Sequence, residues 1–130
     1  MVQEGNDEIN SVDDLVGKKI GVQNGTTGDF VADEIEDAEV VRFNNGIEAA
    51  LDLNNGNIDA VIIDNLPAQM LMESNEGLII LDEKPSEDEE YAIAVRKEDT
   101  ELQEVINEVL QEMKDSGEID DLVNKYSIGQ

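Results

Sequence analysis

Short apolar runs alternate with stretches where apolar residues recur every third or fourth position, and this alternation predicts the elements. Ser11 is a good helix N-cap, with Asp13 and Asp14 in the first turn of a short helix ending near Gly17. Ile20-Gly21-Val22-Gln23 reads as a strand, and Asn24-Gly25-Thr26-Thr27-Gly28-Asp29 as a turn opening a helix. Phe30, Val31 and Ile35 form one face of that helix, with Asp33, Glu34 and Glu36 opposite. Glu39-Val40-Val41-Arg42-Phe43 is the second strand, closed by Asn44-Asn45-Gly46. Ile47, Ala50 and Leu51 then give a helical stripe that Asn54-Asn55-Gly56 stops.

Ala60-Val61-Ile62-Ile63 is a continuous apolar run, as in a strand buried on both faces, and it ends at Asp64. Pro67 suits the first turn of the next helix, which carries Met70, Leu71 and Met72. Leu78-Ile79-Ile80-Leu81 and Tyr91-Ala92-Ile93-Ala94-Val95 read as the last two strands. Beyond residue 98 the pattern is helical only. Leu102, Val105, Ile106, Val109, Leu110 and Met113 give the cleanest periodicity, Gly117 ends that helix, and Ile119, Leu122, Val123 and Tyr126 mark a second. Strands alternating with helices predict an α/β domain with a largely parallel sheet. Ligands of such sheets bind outside the strand C-terminal ends, near a switch in strand order. Gln23 to Gly28 and Asp64 fall at two of those ends.

Composition narrows the function. The 130 residues carry 8 Lys and Arg against 33 Asp and Glu, a net charge of −25. No basic surface exists to displace counterions from nucleic acid, and an anionic membrane would repel the chain. With no Cys and no His, disulfides, thiolate or imidazole metal sites, the Ser-His triad and the usual general base are excluded. Leu, Ile, Val and Phe supply over a quarter of the chain, above the roughly 20% typical of disordered sequences, so the domain is expected to fold. Self-repulsion at this charge opposes compaction, and about 1 M salt, with a Debye length of about 3 Å, suppresses it. A halophilic source accounts for the acidity better than calcium binding, because no calcium-loop motif is present. The run Ser86-Glu87-Asp88-Glu89-Glu90 reads as a solvated loop. No stretch reaches about 18 apolar residues, and Met1 to Asn10 has no apolar signal-peptide core.

Gly25, Thr26, Thr27, Gly28 and Asp29 combine a tight turn, two hydroxyls and the free amides of a helix start, which suit a carboxylate or small phosphate. The plainer reading is an ordinary capping turn. Asp64, ending an apolar strand, suits an ammonium group, or alternatively caps the following helix. Together the two features describe a zwitterion site. Arg42 and Arg96 could clamp a carboxylate or stand in solvent. Tyr91, Tyr126, Met70 and Met72 read as packing residues.

The segment Ser11 to Asp29 closely resembles the second lobe of the extracytoplasmic solute-binding proteins of polar amino acid ABC transporters. The likeness continues through Asn55 to Asp64, through Glu90 to Lys97, and through the C-terminal helices. The resemblance implies a periplasmic-binding-protein-like α/β lobe at residues 1–97, a mostly parallel sheet flanked by helices, with a helical pair at 98–130. It implies capture of a free amino acid for import, outside the cytoplasm, by a two-lobe clamp working with membrane subunits, without cofactor, metal or covalent chemistry. In that family the positions of Thr26, Thr27 and Gly28 help hold the ligand α-carboxylate, that of Asp64 accepts the α-ammonium, and that of Gln23 lines the side-chain pocket. The family's first lobe has no counterpart in this sequence, so a half-site with weak or no affinity alone is expected. The helices after Lys97, which in the family pack largely on that first lobe, are then open to homodimerisation. Two alternatives share the fold: a ligand-sensing domain of a receptor or sensor kinase, and a dehydratase in which Asp29, Asp64 or a Glu would act.

Overall fold

In the computed structural model, which describes residues 1–87 and 90–127, three of the apolar runs pair as one parallel sheet. Strands β2 (Lys19–Gln23), β3 (Glu39–Phe43) and β4 (Ala60–Ile62) lie in the order β3-β2-β4, with β2 in the centre. Val22 sits opposite Arg42 on one side and Ile62 on the other. A short antiparallel pair, β1 (Val2–Gln3) with β5 (Leu78–Ile79), joins the sheet margin, where Met1 and Val61 exchange backbone hydrogen bonds of 2.7 and 2.9 Å. The pattern of the first ten residues did not predict β1, yet Val2 is among the most buried residues.

The helices cover both faces because side chains alternate along each strand. Ile20 and Val22 of β2 and Ala60 and Ile62 of β4 share one core with Ala32 of helix α1 (Thr27–Asp33). The other core holds Val61, Ala49, Ala50 and Leu53 of α2 (Gly46–Asn54), and Leu71 of α3 (Asn65–Ser74). Gly21 faces the second core, where a Cβ would lie 2.5 Å from Ile58 Cδ1 and 3.3 Å from Val61 Cγ2, so a larger residue would have to displace the Ile58 side chain.

Several expectations are corrected. Ser11 does not cap a helix; a 3-10 turn spans Asp13–Leu15, and Ser11 instead donates its hydroxyl to Asp14 Oδ2 at 2.9 Å. Helix α1 ends at Asp33, so Ile35 lies beyond it; Val31 and Ile35 pack inward, but Phe30 is 66% exposed. On α2, Ile47 and Leu51 face out, while Ala49, Ala50 and Leu53 are buried. The Asn45 side chain caps α2 by accepting the Glu48 amide at 3.0 Å. The strands expected at 60–63 and 78–81 are shorter, ending at Ile62 and Ile79.

The chain divides into two compact units, Met1–Glu87 and Asp88–Gln130, earlier than the boundary expected after Lys97. Tyr91-Ala92-Ile93-Ala94-Val95, expected as the last strand of the lobe, falls in the second unit and has no regular secondary structure. Within the second unit, α4 (Thr100–Ser116) ends at Gly117, whose φ of +80° is left-handed, and α5 (Glu118–Ser127) follows. The expected periodicity is present, but α4 buries none of its residues. Tyr91 and Tyr126, expected to pack, are exposed. Of the acidic run Ser86-Glu87-Asp88-Glu89-Glu90, Asp88 and Glu89 lie outside the described residues. No helix among the described residues is long and apolar enough to cross a membrane.

Candidate functional site

Parallel pairing puts the C-terminal ends of β2, β3 and β4 on one edge of the sheet. The chain leaves β2 to form β3 on one side, then crosses to form β4 on the other, so β2 is the switch in strand order. Gln23 ends β2, and the loop Asn24–Thr26 leads from it into α1. Asp64 stands two residues past the end of β4, the strand that neighbours β2. The approach is close. A Cβ at Gly28 would lie 3.0 Å from Ile62 O and 3.2 Å from Ile62 Cγ2, so α1 rests on β4 at its first turn.

The loop is held by its own polar groups. Thr26 Oγ1 donates to Gln23 O at 2.8 Å, and Asn24 N donates to Phe43 O at 2.9 Å. Thr26 occupies the N-cap position of α1, but its hydroxyl points back to Gln23 and leaves the first turn uncapped. The amides of Thr27 and Gly28 lie where a helix supplies no acceptor of its own. Asp64 likewise occupies the N-cap position of α3 without making the side-chain bond of a cap. Its carbonyl takes the first helical bond from Ala68 N at 2.9 Å, and its exposed carboxylate is left for other partners. Neither Thr26 nor Asp64 thus behaves as an ordinary capping residue.

Arg42 stays 41% exposed, yet its guanidinium is already engaged by two carboxylates. From β3 it reaches α1, where Nη2 donates to Asp33 at 2.6 Å and Nε lies 2.9 Å from Asp29 Oδ1. The bond to Asp33, and then the charge of Asp29, hold its guanidinium above its already high ordinary pKa. Arg96, on the second unit, pairs with Asp99 at 2.9 Å. Asp29 is buried although charged, 5% exposed, with Oδ2 accepting the Gly25 amide at 2.9 Å. Its spacing to Asp33, one helical turn, was the only sequence signal for this arrangement. Among the described residues no group of His, Cys, Asp or Glu is arranged to hold a metal ion.

A domain of this fold, with polar loops gathered at a strand-order switch, has the form of a small-molecule binding lobe. The whole chain, residues 1–130, matches the bacterial extracellular solute-binding proteins, family 3, and belongs to that family. It is 36% identical over 121 residues to the putative ABC transporter arginine-binding protein 2 of Escherichia coli K12, covering 89% of this chain and 50% of that protein. It is 31% identical over 125 residues to the probable histidine-binding protein of Neisseria gonorrhoeae, covering 92% and 47%. Among solved structures, a mutant of ArgBP from T. maritima superposes with a TM-score of 0.75 at 42% identity, over 95% of this chain and 54% of that one. The amino acid ABC transporter substrate-binding protein AbpA from Streptococcus pneumoniae, bound to L-arginine, gives a TM-score of 0.80 at 32% identity, over 99% and 57%. The chain spans about half the length of the relatives it matches.

Proposed function

We propose that the first unit is one lobe of an extracytoplasmic amino acid receptor that serves ABC-type import by binding alone, without covalent chemistry. The amides and hydroxyls of Gly25, Thr26, Thr27 and Gly28 receive the ligand α-carboxylate, Asp64 receives the α-ammonium, and Gln23 lines the space for the side chain. The observation that carries this reading is Asp64: an exposed carboxylate at the end of an apolar strand, standing at a helix start it does not cap. Relatives named for arginine, histidine, glutamine and cystine support an amino acid ligand, and arginine is the first to test.

Small-ligand sites enclose about 70–90% of the ligand, so half a site retains only a fraction of the contacts. L-arginine titrated into the 130-residue chain is expected to shift the amides of Gln23–Gly28 and Asp64, with a dissociation constant of about 1 mM or weaker. Asp64→Asn should abolish those shifts while leaving the Ile20 and Val22 resonances in place. Micromolar affinity by calorimetry would overturn the half-site account. Shifts confined to other parts of the chain would overturn the assignment of this edge.

A further inference from the structure

We infer that Asp29 is a positioning residue for the Gly25–Gly28 loop, holding the backbone amides of that loop in register for a ligand through its own buried carboxylate. The inference rests on the reading of this loop as the anion-receiving side of the site. Asp29 lies on α1, downstream of the loop, and its side chain turns back to accept the Gly25 amide at 2.9 Å. That bond spans the loop. It fixes Gly25 at a left-handed φ of +76°, while Thr26 is tied to Gln23 O on the other side. The carboxylate is nearly sealed from solvent, and Oδ1 takes no directed hydrogen bond; it is held by the charge of Arg42, whose Nε is 2.9 Å away.

A buried carboxylate without compensation is costly, and here Arg42 supplies it from the neighbouring strand. Arg42 is itself anchored by Asp33, one turn further along α1. The chain of contacts therefore runs from Asp33 through Arg42 and Asp29 to Gly25, linking the loop to β3. A residue needed only for stability could occupy this site as a hydrophobe packed under α1. A carboxylate aimed at a loop amide acts on the shape of the loop.

The test compares the 130-residue chain with Asp29→Ala and Asp29→Asn by amide hydrogen exchange and NMR. Asp29→Ala is expected to speed exchange at Gly25 by about tenfold or more, and to a lesser degree at Thr26, with Ile20, Val22 and Val61 unchanged. Asp29→Asn keeps an acceptor of the same shape and should restore most of the Gly25 protection. Unchanged exchange across the loop in Asp29→Ala would overturn the inference. So would an acceleration that spreads equally into β2 and β4, which marks a general loss of stability. L-arginine added to the same samples probes the ligand reading separately. Wild-type shifts at Thr26–Gly28 that disappear in Asp29→Ala support both. Loop exchange that depends on Asp29 in a wild-type chain giving no arginine shifts supports the positioning role and counts against the ligand reading.

Discussion

Asp14 carries the local structure that Ser11 was expected to carry. Its Oδ2 accepts the amides of Asn10 and Ser11, each at 3.0 Å, and the Ser11 hydroxyl at 2.9 Å. These bonds, that from the Asn10 amide foremost, hold its pKa below the ordinary 3.8. A carboxyl depressed in the folded state binds its proton more readily when unfolded. It therefore contributes stability in full above the ordinary carboxyl value, and the contribution is lost as pH falls through the folded one. Asp14→Asn should lower thermal stability at neutral pH and make its fall below about pH 4 shallower than in the parent, as expected from losing one such group. A parallel acid limb in the two proteins would refute this role. Asp14 and Asp29 have one thing in common. Each reaches back along the chain to a backbone amide, a choice that neighbouring Ser and Thr residues compete for on sequence grounds alone.

Helix α2 shows how an element keeps its existence but changes its orientation between pattern and fold. The stripe Ile47, Ala50, Leu51 is a good helical signal, and the helix is there. The face that meets the sheet is instead Ala49, Ala50 and Leu53, where two small residues let the helix approach and Leu53 fills the core. Leu53 is fully buried and Leu51 is 49% exposed. Leu53→Ala should therefore cost about 2–5 kcal/mol, and Leu51→Ala about 0.5 kcal/mol, by denaturant unfolding. Equal costs would show that the periodicity, and not the observed phase, describes the core.

At the scale of the molecule, charge repulsion is the main force the fold must withstand. Thirty-three acids against eight bases leave most carboxylates without a cation to pair with, and the cations present act locally, Lys18 on Glu8 and Arg42 on Asp29 and Asp33. Raising salt from about 0.05 M to about 1 M should raise the melting temperature by about 5 °C or more, because the repulsion acts over distances that the shortened Debye length removes. A melting temperature that is flat or falls with salt would show that self-repulsion does not limit stability here.

The run of alternating strands and helices, the α/β class and the family were all legible in the residues, because burial on two faces of a sheet leaves apolar runs and helical stripes in that order. The positions of Gln23, Gly25 to Gly28 and Asp64 at strand ends were legible for the same reason. Strand order, the pairing of Val2 with Ile79, and the union of Arg42 with Asp29 were not, since each joins residues through contacts that leave no local periodicity. Whether Thr26 and Asp64 cap their helices was likewise open in one dimension. Only the tertiary structure decided it: the Thr26 hydroxyl turns back to Gln23 O at the end of β2, and the Asp64 carboxylate makes no cap bond to α3.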